Sequence, residues 1–193
     1  MHSFRHFSEA GLQIRLAEPA DASILAELGR RTFLETFYEV VPQHAMLPYL
    51  AASFQKEKIT AEIEEKKATY FLANLKVTPI GYAKIRDDRQ PEVLKDNMAV
   101  ELERIYVLQN YIGKGMGRQL YQFVENFSKN NDYAALWLSV WQNNTVALFF
   151  YEKLGFKPKQ DYTFYVSGIP YQNLILSKDL TPTVKFYKNE SKF

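Results

Sequence analysis

Short runs of alternating apolar and polar residues recur along the chain, a pattern typical of strands that bury every second side chain. The clearest run is "VELERIYVL" at 100–108. This criterion predicts strands at 12–19, 69–74, 80–86, 100–108, 134–141, near 162–167 and at 171–178. The connection "LKVTP" is short enough to join the second and third strands as an antiparallel hairpin.

Helical spacing of apolar residues fills most of the intervals between these strands. One helix is predicted to follow Pro19 and Asp21 and to continue through about Phe37. Residues 116–130 form a second amphipathic pattern, and another helix begins at Asn144 and ends at Leu154, before Gly155.

The segment 43–67 contains two shorter helical patterns punctuated by Pro42 and Pro48, and its role is left open. The order of elements predicts an α/β protein with a mixed sheet flanked by helices. A chain of 193 residues suits one domain, 1–193, with a core at about 12–180 and a polar tail at 181–193.

Charge and composition exclude several classes of protein. The net charge is +2 and the basic residues are dispersed, so no nucleic-acid partner is expected. No segment approaches the roughly 20 apolar residues of a membrane span, and the N-terminus lacks a secretory pattern, so no membrane partner and a cytoplasmic location are expected. With no cysteine, and with His2, His6 and His44 lacking ligand spacing, no metal is expected.

Three glycines, Gly113, Gly115 and Gly117, occupy alternate positions between a predicted strand and a predicted helix in "YIGKGMGRQL". This spacing matches neither the Walker phosphate loop nor the dinucleotide fingerprint. The converging backbone N–H groups and the helix dipole indicate an anion site, and the anion predicted there is a pyrophosphate. A turn that only reverses the chain explains the glycines equally well.

Two segments together resemble the GNAT family of GCN5-related N-acetyltransferases: "ERIYVLQNYIGKGMGRQLY" and "NNTVALFFYEKLGF". The resemblance covers roughly residues 12–180 and implies the acyl-CoA N-acyltransferase fold, with a mostly antiparallel central sheet, and acetyl-CoA as co-substrate. The segments "RRTFLETF", "LERIYV" and "LWLSVWQNNTVALFFYEKLGF" are similar to PaiA-type polyamine N-acetyltransferases. This closer likeness implies spermidine or spermine as the acceptor.

The resemblance also implies which residues bind the cofactor. The strand Ile105, Tyr106 and Val107 would pair with the pantetheine amides, Asn144 would contact the same arm, and Lys153 would reach the phosphates. The pyrophosphate would lie on the turn formed by Ile112, Gly113, Lys114, Gly115, Met116 and Gly117. Ile112 departs from the family pattern, which has Arg or Gln there and a side-chain contact to the pyrophosphate.

Amine acetylation benefits from a proton acceptor, because a primary amine is almost fully protonated at neutral pH. Period-2 alternation predicts that Glu101, Glu103, Ile105 and Val107 share one face of their strand. Repulsion between the two carboxylates is expected to raise one pKa, and the family position favours Glu103 over Glu101 as the base. A solvated face paired with basic residues is the alternative.

Tyr151 is expected to protonate the departing thiolate, by resemblance to the family's "FY" element, although its spacing also suits a core position. Phe37, Tyr38 and Glu35 are predicted to form an apolar, acid-rimmed slot for a small-molecule amine, and aromatic residues at this spacing also suit a core. Two other functions are left open: acetylation of a protein or peptide amine, and non-catalytic acyl-CoA binding by a regulator. A homodimer is also left open.

Overall fold

A computed structural model describes residues 5–7, 11–95 and 98–180, whose strands form one eight-stranded sheet in the order β1-β2-β3-β4-β5-β6-β8-β7. The strands are β1 Arg5–Phe7, β2 Leu12–Leu16, β3 Thr69–Leu75, β4 Thr78–Arg86, β5 Ala99–Val107, β6 Ala135–Trp141, β7 Lys157–Val166 and β8 Ile169–Asp179. All neighbours pair antiparallel except β5 and β6. The predicted mixed, mostly antiparallel sheet is confirmed, β1 is an additional strand, and the predicted tail at 181–193 lies outside the described residues.

Five helices accompany the sheet in the described part of the chain: α1 Ala22–Phe37, α2 Gln43–Ser53, α3 Lys56–Glu64, α4 Met116–Asn130 and α5 Thr145–Lys153. Asn144 caps α5 as predicted, since its Oδ1 accepts a hydrogen bond from the Ala147 N–H at 3.1 Å. Pro48 does not punctuate the chain but lies inside α2. The carbonyl that it leaves unpaired belongs to exposed His44, where water can satisfy it.

Helices cover both faces of the sheet. On one face, Leu120, Tyr121 and Val124 of α4 pack in the main core with alternate residues of the central strands, including Phe71. On the other face, α1 and α3 bury a second set of strand residues, including Tyr82. No helix in the described ranges is long and apolar enough to span a membrane.

An ion pair fixes the start of α1 against the sheet. The guanidinium of Arg15, in β2, contacts both carboxylate oxygens of Asp21, at 2.6 and 2.7 Å. Asp21 also accepts the N–H of Glu18 at 2.8 Å, and only 8% of the residue is exposed. The hydrogen bond from Arg15 lowers the pKa of Asp21.

A β-bulge in β5 changes which residues share a face. Lys84 pairs with Arg104 and Ile85 pairs with Leu102, so Glu103 is an extra residue on β5. Ile105 packs into the core under α4, whereas Glu101 and Glu103 both contact Arg89 on the opposite side. The prediction that these carboxylates share a face with Ile105 and Val107 is therefore wrong, because the extra residue shifts the alternation.

Parallel pairing between β5 and β6 covers only three residues of each strand, Ala99–Glu101 against Ala135–Trp137. Both strands continue beyond this point, to Val107 and Trp141. The two strands therefore diverge, and a gap opens inside the sheet.

Candidate active site

The gap between β5 and β6 leads into a cavity of about 1250 Å³. Residues from β4, β7, β8 and the five helices complete its walls. Pockets for one small molecule usually measure roughly 300–1,000 Å³. This cavity is therefore large enough for an extended cofactor arm and a second substrate.

The glycine turn lies at one end of this cavity and has the geometry of an anion cradle. Gly113 and Gly115 have positive φ values, 79° and 78°, and a Cβ added to either would meet nothing within 4 Å. The two glycines thus adopt left-handed backbone conformations, and the space beside them is open to a ligand. Directly after them α4 begins, and its first-turn N–H groups have no partner inside the helix.

The other predicted members of the cradle differ in their placement. The Ile112 N–H donates to the Gln109 carbonyl at 3.1 Å, so it is already occupied, and the Ile112 side chain is 60% exposed. Met116 packs against the core. Lys114 lies over the ring of Tyr111, with its Nζ 5.6 Å from the ring centroid.

Two basic residues, Lys153 and Arg118, line the same end of the cavity. The Nζ of Lys153 lies 4.0 Å from the centroid of Phe149. Arg118 was not singled out from the sequence, although its position in the first turn of α4 was a usable signal. Both cations could reach a phosphate group here.

The predicted pantetheine-binding strand lines the middle of the cavity. Ile105, Tyr106 and Val107 pair with β4 on one side and lie beyond the last β6 partner on the other. Their free backbone edge can accept an extended amide chain as an additional strand would. Asn144 also lines the cavity, and its cap to α5 leaves its side-chain N–H₂ available.

Tyr151 projects from α5 into the wall of the cavity and packs edge-on against Phe150 and Phe156. Burial raises the pKa of its hydroxyl. The phenol is therefore protonated at neutral pH, as a hydrogen-bond donor to a leaving thiolate must be.

Glu103 is surrounded by four cations. Its carboxylate lies 3.0 Å from Lys84, 3.2 Å from Arg86, and 3.5 Å from both Arg89 and Arg104. Burial opposes ionisation, but the charges of Arg104 and Lys84 outweigh it and lower the pKa of Glu103 to about 2. From the sequence, Glu103 is favoured as the base and a raised pKa is expected, but the pKa of Glu103 is lowered because its neighbours are cations.

Glu101 has the opposite pKa shift. Its carboxylate pairs with Arg89, Nε to Oε2 at 2.5 Å and Nη2 to Oε1 at 3.2 Å, and 6% of its side chain is exposed. Burial raises the pKa of Glu101 against the pull of Arg89, and the charge of Glu103 adds to the rise. Of the two carboxylates, Glu101 is therefore better matched to accept a proton.

Buried charge continues from Glu103 into the interior through Lys84. Its Nζ lies 2.9 Å from Oε2 of Glu62, which also accepts a hydrogen bond from the Tyr70 hydroxyl. Burial lowers the pKa of Lys84, although the charge of Glu103 opposes this shift. Sequence reasoning missed this network, yet a lysine inside the apolar run "IGYAKIR" was a usable signal, because buried lysines require partners.

The predicted acceptor residues are only partly brought together. Phe37 lines the cavity and packs on Phe33, with ring centroids 4.7 Å apart. Glu35 also lines it, but its carboxylate accepts from Arg31 and from the Gln109 N–H, each at 2.9 Å. Tyr38 is 72% exposed and is not part of the cavity wall.

Two further polar groups were missed in the sequence. The indole N–H of Trp137 and Oδ1 of Asn173 are buried in the cavity wall without a hydrogen-bond partner among the described residues. Within the same residues, no group of three or more His, Asp or Glu side chains is arranged to hold a metal ion.

Comparison of the sequence with known proteins identifies the family of this chain. Residues 30–156 match the model of the acetyltransferase (GNAT) family. An uncharacterized N-acetyltransferase of Lactobacillus delbrueckii subsp. lactis is 27% identical over 88% of this chain and 98% of its own. An uncharacterized N-acetyltransferase of Mycobacterium bovis is 28% identical over 83% of this chain and 98% of its own.

Solved structures share the fold. The PaiA N-acetyltransferase of Thermoplasma acidophilum in complex with coenzyme A has a TM-score of 0.71 at 22% identity, covering 87% of this chain and 98% of that one. YncA of Salmonella typhimurium with acetyl-CoA has a TM-score of 0.68 at 16% identity, covering 90% and 96%. The open β5 edge and the glycine cradle fit the same cofactor. This chain belongs to the GNAT family and is an acetyl-CoA-dependent N-acetyltransferase.

Proposed function

We propose that this enzyme transfers the acetyl group directly to a primary amine bound beside Glu101. The observation that carries the proposal is the position of Glu101 and Tyr151 in one cavity with the open β5 edge. Acetyl-CoA supplies the activated acetyl thioester. The protein holds this substrate through the β5 backbone, the glycine turn and the first turn of α4.

Glu101 accepts the proton that the amine must lose, directly or through one water molecule. The neutral amine nitrogen then forms the new C–N bond as the C–S bond breaks. The nitrogen loses its extra proton as the amide forms, and the departing thiolate takes up one proton and leaves as the CoA thiol. Since burial raises the pKa of Glu101, it is a stronger base than Glu103, whose carboxylate is held by four cations. Glu103 instead holds the cationic side chains of the wall in place.

Tyr151 donates a hydrogen bond to the departing sulfur. Its raised pKa keeps the donor proton on the phenol until thiolate charge develops. A donor that acts only as this charge appears lowers the barrier without stabilising the bound substrate equally.

The acceptor has two candidate classes. The likeness to PaiA-type enzymes favours a polyamine, and the aromatic wall around Phe33 and Phe37 could cover its methylene groups. A peptide amine is the alternative, because the cavity has an open mouth and both partners would fit its volume. The cytoplasmic location and the homodimer stay predictions.

The proposal is tested with the purified protein, acetyl-CoA and a panel of amines, followed by release of the CoA thiol. Glu101→Gln should lower kcat/KM by about 10²–10⁴, the usual contribution of a positioned base. Glu65→Gln, at an exposed site outside the cavity, is the matched control for Glu101→Gln. Tyr165→Phe, also exposed and outside the cavity, is the matched control for Tyr151→Phe. Full activity of Glu101→Gln would refute its role as proton acceptor.

The pH profile separates a base from a structural residue. Because the pKa of Glu101 is raised, kcat/KM should decline on acidification at a pH above 4.5, the usual glutamate value. Glu101→Gln should lose this acid limb, whereas Glu103→Gln should keep it. An unchanged limb in Glu101→Gln would assign the proton transfer to another group.

A further inference from the structure

The part of the cavity around Glu101 and Glu103, called here the acceptor half, contains more cations than carboxylates. Its cationic side chains are Lys58, Lys84, Arg86, Arg89 and Arg104. Its carboxylates are Glu62, Glu101 and Glu103, and Asp88, outside the wall, pairs with Arg86. Glu35, which accepts from the Gln109 N–H beyond the end of β5, is neutralised by Arg31. One positive charge is therefore left without a carboxylate.

Each carboxylate in this half is already paired with a cation of the protein. Glu101 is paired with Arg89, Glu62 with Lys84, and Glu103 with four cations. An additional ammonium group would have to compete with these cations for their carboxylates. At Glu103 it would separate Arg104, whose side chain is 10% exposed, from its carboxylate partner among the described residues, which is costly.

Two cations at the cavity wall retain hydrogen-bonding capacity. Lys58 has no carboxylate partner among the described residues and makes one long contact, 3.4 Å to the Ala52 carbonyl. Arg89 donates from Nε and Nη2 to Glu101, and its Nη1 contacts no carboxylate among the described residues. The Arg89 side chain is 51% exposed. The unpartnered indole N–H of Trp137 adds a donor to the same wall.

We infer that the acceptor is an amine that also carries a carboxylate, such as an amino acid or a short peptide, and that Arg89 and Lys58 bind this carboxylate. The inference rests on the proposed amine acetylation and specifies its second substrate. Arginine presents parallel N–H groups that match a carboxylate. The same charges disfavour a polyamine, whose second ammonium finds no free carboxylate.

Three acceptors of equal chain length provide the test: 5-aminovalerate, n-pentylamine and cadaverine. In CoA-thiol release assays, kcat/KM should decrease in that order, with 5-aminovalerate about tenfold or more above cadaverine. L-lysine and glycylglycine represent free amino acids and peptides, and a rate above that of cadaverine for either supports the inference. Cadaverine as the best acceptor of the series would overturn it.

Variants connect the preference to the two cations. Arg89→Gln and Lys58→Gln should each reduce the ratio of kcat/KM for 5-aminovalerate over n-pentylamine severalfold, even where the overall rate also changes. Lys129→Gln removes one exposed positive charge from α4, outside the cavity, and should leave this ratio unchanged. An unchanged ratio in both cavity variants would refute the assignment.

Binding measurements keep this inference separate from the proposed function. Calorimetry on the protein saturated with CoA should show tighter binding of 5-aminovalerate than of cadaverine. If 5-aminovalerate binds more tightly but no amine is acetylated, the proposed acetylation is refuted, and the inferred preference for a carboxylate-bearing amine is kept. If amines are acetylated and cadaverine is preferred, the acceptor class fails and the acetylation stands.

Discussion

Replacing Lys84 by methionine is the sharpest test of the buried charge network. Its Nζ lies between Oε2 of Glu62, at 2.9 Å, and Oε2 of Glu103, at 3.0 Å, and 2% of the side chain is exposed. Methionine preserves most of the volume and removes the charge. Glu103 keeps three arginines as partners, whereas Glu62 keeps only the hydroxyl of Tyr70 among the described residues.

The expected loss of stability depends on how the Glu62 carboxylate responds when its cation is removed. Removing one partner of a buried ion pair typically costs about 3–5 kcal/mol. A carboxylate without its cation can also bind a proton, which costs an ordinary glutamate about 3.5 kcal/mol at pH 7. Protonation therefore limits the loss of stability to about 3.5 kcal/mol. Lys84→Met should lower the free energy of unfolding by about 3 kcal/mol at pH 7.

Urea denaturation at two pH values measures this loss. Moving from pH 7 to pH 5 makes protonation cheaper by about 2.7 kcal/mol, so the difference between Lys84→Met and the unmodified protein should shrink to about 1 kcal/mol. Adding Glu62→Gln should recover at least half of the loss at pH 7, because it removes the unpaired charge. Lys129→Met, at an exposed pair with Glu125, should cost about 0.5 kcal/mol.

The reasoning is refuted if Lys84→Met costs less than about 1 kcal/mol at pH 7. It is also refuted if Glu62→Gln deepens the loss instead of relieving it. In either case Glu62 would not depend on Lys84 for compensation of its charge.

Three further changes test other parts of the molecule. Tyr151→Phe should lower kcat about 10- to 100-fold with little change in the KM for acetyl-CoA, and an unchanged kcat would remove its role as donor. Ile112→Arg should lower the KM for acetyl-CoA about three- to tenfold by adding the missing phosphate contact, and an increase would place the pyrophosphate elsewhere. Asp21→Asn should cost about 2 kcal/mol at pH 7 by denaturation; since the pKa of Asp21 is lowered on folding, this cost should diminish as the pH falls below 3.8, the usual aspartate value.

Most of the fold was predictable because its signals are local. Apolar alternation located seven of the strands, and the cap at Asn144 and the stop at Gly155 bounded α5. β1 carried no comparable signal, since three residues are too few for a periodic pattern. Pro48 misled because a proline is tolerated in a helix where the carbonyl that it leaves unpaired faces water.

The site was less predictable, because its properties depend on contacts between distant segments. The glycine cradle and Tyr151 follow from contiguous motifs. The bulge at Glu103 does not follow from apolar alternation, since the pairing with β4 is what shows that β5 has one extra residue. The pKa difference between Glu101 and Glu103 depends in turn on Lys84, Arg89 and Arg104, whose approach is set by the tertiary fold.

The early divergence of β5 and β6 has a consequence for how this sheet avoids aggregation. An unpaired strand edge on the outside of a protein is a template for pairing with other chains, and exposed edges are usually protected by charges, prolines or bulges. Here the open edge of β5 lies inside the sheet, in a cleft lined by residues of α5 and β6. The amide chain of a cofactor can pair with this edge, but the edge is not presented on the outside of the sheet to a strand of another protein.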